Sequence, residues 1–303
     1  MQLCDPNSSD KGWRYVSTAT SMALNLGLNQ TPPFKLPVWV KEWRLRLWSW
    51  IFITNHLFFF SLKKPICINK DNSVSIHPSD FSLDLSPSSS FSDISIALGS
   101  MLFMKHMKEL CYYLSLSLDA YNRYTLDSQG ISLDSLAKTF VTSRSHFEAW
   151  NSQLLADFRH LPPCKSSHVI YDVFKFNLII IYKASWLEIT KTFTSKNLEK
   201  ECVRFMRDKS MLMTAYIIRD FKAASPLLYR YGSTYRLYAL ASVTVNQLGI
   251  CGSPLNVKIQ TEAVRNFRDI FQILEKYAGY YPLARNMHQI VKVLADKIPV
   301  TCK

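Results

Sequence analysis

Histidine and glutamate are the residues of this sequence that could form a catalytic zinc site, but their spacing does not favour such a site. A zinc hydrolase needs two histidines one helical turn apart with a glutamate between them. No two of the seven histidines have that spacing, so we interpret each as a surface residue or a core residue with a satisfied hydrogen bond. They are His56, His77, His106, His146, His160, His168 and His288.

Cysteine is the other residue type that could hold zinc. No pair of the seven cysteines has the C-x2-C spacing that lets neighbouring thiolates share one metal ion. The segment before Trp13 has no apolar stretch typical of a signal peptide, so we expect an intracellular, reducing compartment and mostly buried, reduced thiols. The cysteines are Cys4, Cys67, Cys111, Cys164, Cys202, Cys251 and Cys302.

Templates for other enzymes are absent from the sequence as well. It contains no G-x-G-x-x-G, P-loop or G-x-S-x-G motif to cradle a phosphate or present a nucleophilic serine. Asp119, Asp127 and Asp134 stand too far apart for an aspartate-rich magnesium site. A cysteine paired with a distant histidine stays open, because such pairs meet only in the fold. We predict no enzyme, with no catalytic, metal or cofactor-binding residues and with the ligand-binding residues unknown.

Tyrosine and arginine alternate in one short stretch of the chain. Such side chains stack on nucleic-acid bases or line a ligand pocket, and they also pack helices with their polar ends at the surface. We favour helix packing and keep the other two as alternatives. The stretch contains Tyr229, Arg230, Tyr231, Tyr235, Arg236 and Tyr238.

A formal charge of +13 suits nucleic acid, an acidic membrane surface or an acidic protein. The densest basic groups are Lys41, Arg44 and Arg46, followed by Lys63 and Lys64. None of these groups is a run of five or more, as a nucleic-acid-binding arm would have, so we interpret them as solvated helix faces.

The elements that would position these residues are helices. Only 8 glycines occur in 303 residues, and long segments lack both glycine and proline, so we predict an all-α multi-helix bundle with one long serine-rich loop. We expect first helices at 1–68, the loop at 69–95 and the remaining helices of the same domain at 96–303. Glycines at 27, 249 and 279 are expected to end helices, and Pro282 to begin one.

A helix predicted at 40–62 is apolar on nearly every side. Segments 47–62 and 174–187 are too short or too interrupted to span a bilayer, and we interpret both as buried core helices. We therefore expect both apolar stripes of the first helix to be buried. One stripe is Trp43, Leu47, Trp50 and Leu57, and the other is Leu45, Trp48, Phe52 and Phe59.

The first eighty residues follow a recognisable order. Trp13 opens a helix that ends in Ala23-Leu24-Asn25-Leu26-Gly27-Leu28-Asn29, then come Glu42-Trp43-Arg44-Leu45-Arg46-Leu47-Trp48-Ser49, Asn55 and Lys63-Lys64-Pro65. Over residues 12–81 this order resembles the signature of the fungal-specific transcription factor domain, the middle homology region of binuclear zinc-cluster regulators. Asn29, Leu45, Ser49, Asn55 and Lys63 stand where the family has histidine, arginine, tryptophan, aspartate and glycine. We expect Glu42 to pair with Arg44, and Trp48 and Trp50 to anchor the core.

The resemblance implies a regulatory domain of a nuclear transcription factor that modulates RNA polymerase II transcription. Zinc and specific DNA contact would belong to an N-terminal cluster that we expect to be missing from this chain, so we predict no cofactor here. Implied partners are related factors in a homo- or heterodimer, the transcription machinery or a corepressor, and a small-molecule effector, with no membrane. The alternatives are a headless interaction module or relic that pairs with relatives, and an all-α enzyme with an unrecognised pocket.

Overall fold

Helices account for nearly all of the chain that the computed structural model describes. The described residues are 6–31, 33, 35–62, 67–68, 91–126, 133–159, 168–194, 201–224, 233–251 and 257–296. These ranges form nine α-helices and no strand, which confirms the predicted all-α fold. The helices are α1 (Pro6–Asn25), α2 (Val38–Leu62), α3 (Phe91–Leu126), α4 (Leu133–Arg159), α5 (His168–Thr194), α6 (Glu201–Ala223), α7 (Ser233–Cys251), α8 (Val257–Ala278) and α9 (Pro282–Asp296).

The predicted serine-rich loop lies mostly outside the described residues. Residues 69–90 fall there, and α3 begins at Phe91, so positions 91–95 are helical. The chain divides into two compact units. Unit 1 comprises Met1–Leu116 and Thr142–Lys175, and unit 2 comprises Ser117–Val141 and Phe176–Lys303. The sequence-based division at residues 68 and 95 stays a prediction.

In unit 1, α1 ends at the glycine that the sequence indicates. Gly27 has a φ of 61°, a left-handed conformation that glycine adopts without a steric penalty. The Gly27 amide donates to Leu24 O at 2.9 Å and the Leu28 amide donates to Ala23 O at 2.9 Å. These two bonds form a Schellman motif, and both Ala23 and Leu28 are buried beneath it. The predicted end of the helix at Gly27 is confirmed.

Polar side chains of α2 hold the end of α1. Arg44 Nη2 donates to Gly27 O at 2.9 Å and to Leu26 O at 3.2 Å, where the carbonyl groups of α1 run out of helical partners. Asn55 is fully buried, with Nδ2 3.4 Å from Thr20 Oγ1 on α1 and Oδ1 accepting from the Cys67 amide at 3.2 Å. These contacts join α1, α2 and the segment at residue 67.

The predicted pairing of Glu42 with Arg44 is wrong. Glu42 instead forms an ion pair with Arg46, one helical turn further along α2. Residues four apart lie on the same side of a helix, whereas residues two apart do not, so the 42–46 pair is the geometrically favoured one. Arg44 points the other way, to the α1 carbonyl groups.

Only one of the two apolar stripes of α2 is buried. Leu45, Trp48 and Phe52 lie in the core, but Trp43, Leu47 and Trp50 are exposed, so the prediction that both stripes are buried is wrong. A helix that is apolar on every side gives no periodic signal of which side has a neighbour. Among the described residues, α1 packs against α2, and no described element covers the opposite stripe. No described helix is long and apolar enough to cross a bilayer.

Unit 2 is organised around α8. Its core face contacts α6, α7 and α9. Tyr277 on α8 is fully buried, with its ring 5.7 Å from that of Phe221 on α6, and Phe221 lies 5.8 Å from Phe176 on α5. The buried residues of α8 are Ala263, Val264, Asn266, Phe267, Ile270, Ile273, Leu274 and Tyr277.

Helix ends in unit 2 follow the glycine and proline signals in part. Helix α8 ends at Ala278, directly before Gly279, and α9 begins at Pro282, as predicted. Gly249 does not end α7, which continues to Cys251, so that prediction is wrong. One glycine inside a helix lowers its stability by up to about 1 kcal/mol, which is too little to break a helix that tertiary contacts support.

Replacing Gly27 by alanine is expected to lower the free energy of unfolding by about 1 kcal/mol or more, since an alanine there must adopt a left-handed conformation. The new Cβ would have room, because its nearest neighbour is Gln30 Oε1 at 3.5 Å. Gly279→Ala is the matched control, with 3.8 Å to the nearest atom and no positive φ. Urea unfolding followed by circular dichroism measures both, and equal losses would contradict the assignment.

Candidate functional site

The most highly connected group of ionisable side chains in unit 1 surrounds Asp157. Its Oδ2 accepts from Lys105 Nζ and from His106 Nε2, each at 2.9 Å, and its Oδ1 accepts from Gln153 Nε2 at 2.6 Å. Lys105 and His106 lie on α3, whereas Gln153 and Asp157 lie on α4. We call these four residues the Asp157 cluster, and it ties the two helices together.

His106 is neutral within this cluster. Burial of the ring, with a smaller effect of the Lys105 charge, lowers its pKa to about 4 even though Asp157 acts in the opposite direction. The ring is fully buried and lies edge-on to Trp150 at 5.8 Å, and Trp150 Nε1 donates to His106 O at 3.0 Å. The contact with Asp157 is therefore a hydrogen bond from a neutral imidazole and not an ion pair.

Asp157 stays ionised because its neighbours favour the charged carboxylate more than burial disfavours it. Burial alone would raise its pKa, but the hydrogen bond and charge of Lys105, helped by Gln153 and His106, outweigh burial and lower it. Both carboxylate oxygens already accept from protein donors. Such a group is a poor general base, because its lone pairs are occupied and its affinity for a proton is reduced. The arrangement supports a structural role and gives no basis for a catalytic one.

Lys108 is a second buried cation on α3. Its side chain is almost fully buried, with Nζ 5.6 Å from the ring centre of Phe52 on α2. Burial lowers its pKa to about 8, although Glu109 favours the charged form. Burial therefore disfavours the charged form of this lysine.

Unit 2 contains a layer of buried polar side chains that joins four helices. Ser242 Oγ donates to Glu188 Oε1 at 3.0 Å, Asn246 Nδ2 to Ser210 Oγ at 2.7 Å, Gln247 Nε2 to Thr214 Oγ1 at 3.2 Å, and Asn266 Nδ2 to Gln247 Oε1 at 3.3 Å. These seven residues, which we call the polar layer, lie on α5, α6, α7 and α8 and are all more than nine-tenths buried.

One oxygen of the polar layer is not satisfied. Asn246 Oδ1 is buried and has no hydrogen-bond partner among the described residues. A buried amide oxygen without a donor costs about 1–3 kcal/mol, so an unsatisfied group of this kind calls for an explanation. Each of the seven residues otherwise makes at least one hydrogen bond to another member of the layer.

The other histidines with described side chains take part in ring packing. His56 is buried with its ring 4.0 Å from Phe52, His146 stacks on Tyr113 at 4.9 Å, and the His288 ring lies 4.2 Å from Phe271. His288 Nε2 is buried without a hydrogen-bond partner among the described residues, so for His288 these ring contacts do not show the satisfied hydrogen bond that was predicted for core histidines. Among the described residues no group of three or more His, Cys, Asp or Glu could hold a metal ion.

Two cysteines have described side chains. Cys111 is buried, and burial raises the pKa of its thiol, so it does not form the thiolate that attacks a substrate. Cys67 is exposed, and its Sγ lies 3.7 Å from Ser17 Oγ. The described contact of Cys67 is with a serine and not with a histidine.

Several residues that the sequence analysis named lie outside the described residues. The predictions that involve them stay predictions. Outside the described residues lie Cys4, Lys63, Lys64, His77, Asp127, His160, Cys164, Tyr229, Arg230, Tyr231 and Cys302, as do the side chains of Asp119, Asp134, His168, Cys202, Tyr235, Arg236, Tyr238 and Cys251.

Sequence reasoning missed both the Asp157 cluster and the polar layer. Lys105 and Asp157 are 52 residues apart, and no motif of fixed spacing connects them. The one signal that could have found such contacts is a charged or polar residue on the apolar side of a helix, as at Lys108 and Glu188. Such a position predicts a buried polar contact but does not identify the partner.

Acid is expected to destabilise the protein through His106. Its pKa of about 4 in the folded chain lies below the ordinary 6.5, so the unfolded chain binds the proton first. The stability that depends on the neutral ring is complete above pH 6.5 and decreases by about 3 kcal/mol as the pH falls to 4. Urea unfolding across this range should show a smaller decrease for His106→Phe than for the wild type. Equal pH dependence in the two proteins would contradict a neutral, buried His106.

Lys108→Met is expected to stabilise the protein by up to about 3 kcal/mol at pH 7, because it removes a buried ammonium group. The folded-state pKa of about 8 lies below the ordinary 10.5, so the penalty is complete below pH 8 and disappears as the pH rises to 10.5. The advantage of the variant, measured by urea unfolding, should disappear over the same range. Lys105→Met is the control and should destabilise, since it takes a donor from Asp157.

Comparison with known proteins identifies the family of this chain. The model of the fungal specific transcription factor domain matches residues 1–152, which include α1, α2, α3 and most of α4. Neither the comparison with curated proteins nor that with solved structures found a match. The matched half contains the Gly27 turn and the α2 residues Arg44 and Asn55 that hold α1, and the chain belongs to the fungal specific transcription factor domain family.

Proposed function

We propose that this chain is the regulatory domain of a fungal nuclear transcription factor and that it modulates transcription by RNA polymerase II. The observation that carries the proposal is the family match over residues 1–152. Sequence-specific DNA binding would require a zinc-cluster head, which these 303 residues do not contain because no two cysteines have the necessary spacing. The role of the chain is then to control an attached or associated head.

The side-chain contacts of both units are consistent with a regulatory role. The ionisable groups of the Asp157 cluster are committed to one another, which supports a non-enzymatic function. We propose that the partners of the chain are related factors, the transcription machinery or a corepressor. A small-molecule effector is a further proposed partner, as the family resemblance implies.

A reporter experiment tests this function. The 303-residue chain is fused to a heterologous DNA-binding domain in yeast, with binding sites for that domain upstream of a reporter gene. We expect transcription to change several-fold, in either direction, relative to the DNA-binding domain alone. A fusion to an unrelated helical bundle of equal length controls for the added mass. A folded fusion with no effect on the reporter would contradict the proposal.

The second candidate is an interaction module that lacks a DNA-binding head and acts by pairing with relatives. The exposed apolar residues of α2 favour it, because such surfaces mark sites of protein association. The same fusion separates the two candidates. A module of this kind would leave the reporter unchanged and would co-sediment with a full-length relative.

A further inference from the structure

Four large apolar side chains form an exposed row on α2. They are between 43% and 67% exposed, and their spacings of four, four and three residues place them on one side of the helix. A single exposed apolar residue is common on protein surfaces, whereas a contiguous row of them marks a site of association. We call this row the tryptophan stripe, and it consists of Trp39, Trp43, Leu47 and Trp50.

Two arginines lie beside the tryptophan stripe. Arg46 is three residues from Trp43 and four residues from Trp50, so it is a surface neighbour of both rings. Arg44 is three residues from Leu47 and lies on the flank of the stripe where α1 ends. A partner that covers the apolar side chains of the stripe therefore also meets positive charge at its edges.

The positive charge around the stripe is only partly compensated. Arg46 forms an ion pair with Glu42, but the hydrogen bonds of Arg44 go to neutral carbonyl groups, which leave its charge in place. Residues 6–62 contain six lysines and arginines against two carboxylates, Asp10 and Glu42, and six minus two gives a net charge of +4. This part of the chain therefore favours a partner with negative charge.

The size of the stripe indicates a weak, transient contact. At roughly 200 Å² for a tryptophan side chain, the exposed parts of the three rings amount to about 350 Å². An equal area on a partner brings the total to about 700 Å², and complexes below about 1,200 Å² are typically weak or transient. One helix of a partner protein covers such an area, whereas a stable dimer needs a larger one.

Shape and charge together indicate the kind of partner. A row of apolar residues along one helix packs against a helix in which apolar residues recur every three or four positions. Arginines at the edges of the row favour carboxylates on the flanks of that helix, because opposite charges increase the rate and the specificity of association. A second copy of α2 would instead bring like charges together, and α2 has no carboxylate after Glu42.

We propose that the tryptophan stripe binds an acidic amphipathic helix of a partner protein. The apolar side of that helix packs on the four side chains of the stripe, and its carboxylates lie near Arg44 and Arg46. Segments in which acidic and large apolar residues alternate are typical of transcriptional activation regions. The inference specifies a partner of the proposed function, so its biological role rests on that function, whereas the binding itself does not.

Two synthetic peptides test the proposal on the full chain. Both are about five helical turns long with the same apolar residues at three- and four-residue spacings, and their flanking positions are glutamate in one peptide and lysine in the other. Fluorescence anisotropy should show micromolar binding of the acidic peptide, at least tenfold tighter than that of the basic peptide. Trp43→Ala should weaken this binding at least tenfold, and Ile290→Ala, at a position of α9 that is 59% exposed, is the control and should not.

Reversing one charge tests the electrostatic part of the contact. Arg46→Glu should weaken the binding of the acidic peptide severalfold and strengthen that of the basic peptide, an opposite pair of changes that loss of folding cannot produce. Lys292→Glu changes the net charge by the same amount at an exposed position of α9 and is the matched control. Added NaCl should reduce the preference for the acidic peptide, since salt screens exposed charges.

Other outcomes overturn the proposal. Equal affinity for the two peptides, or no binding of either at about 1 mM, contradicts an acidic helix as the partner. Peptide binding that is unchanged in Trp43→Ala uses another surface. A wild type that sediments with the mass of two chains at micromolar concentration, when Trp43→Ala has the mass of one, assigns the stripe to a second copy.

A membrane surface is the remaining alternative. Tryptophan emission that shifts to the blue with anionic phospholipid vesicles and not with the acidic peptide would assign the stripe to lipid and overturn the proposal. None of these measurements involves a reporter gene, so the proposed function can fail or hold independently of the acidic helix.

Discussion

The attachment of α1 to α2 is the contact on which the architecture of the family region depends. A helix end leaves its last carbonyl groups without helical partners, and other groups must satisfy them. Here the left-handed turn at Gly27 satisfies two of the carbonyl groups and Arg44 reaches two more. Asn55 then binds Thr20 on α1 and the backbone at Cys67. In this chain, residues of the family signature dock the two helices against each other.

Buried polar contacts have the corresponding role elsewhere in both units. A change of register between two helices breaks any hydrogen bond buried between them, and the groups left unpaired are costly. The Asp157 cluster fixes the register of α3 and α4 in unit 1. In unit 2 the polar layer does the same for α5, α6, α7 and α8. Lys108 shows the opposite case, a buried cation whose charged form is disfavoured by burial.

Each of the two units contains one feature that bears on the proposed regulatory role. In unit 1 the side of α2 that carries Trp39, Trp43 and Trp50 is exposed, whereas in unit 2 the polar layer is buried between helices. A ligand that binds the polar layer changes the equilibrium only by its different affinity for two arrangements of those helices. Association through an exposed apolar surface would depend instead on chain concentration.

Local chemistry in the sequence was enough to determine the helices and some of their ends. The scarcity of glycine predicted an all-α fold, Gly27 and Gly279 predicted helix ends, and the order of residues from Trp13 to Asn55 predicted the family. These features depend on residues that are close together in the sequence, so the sequence alone predicts them. Only the tertiary structure decided which stripe of α2 is buried, which carboxylate pairs with Arg46 and which lysine reaches Asp157. The reason is that burial and pairing depend on which residues of another helix lie opposite a side chain. The sequence of a uniformly apolar helix does not indicate which of its sides has such a neighbour.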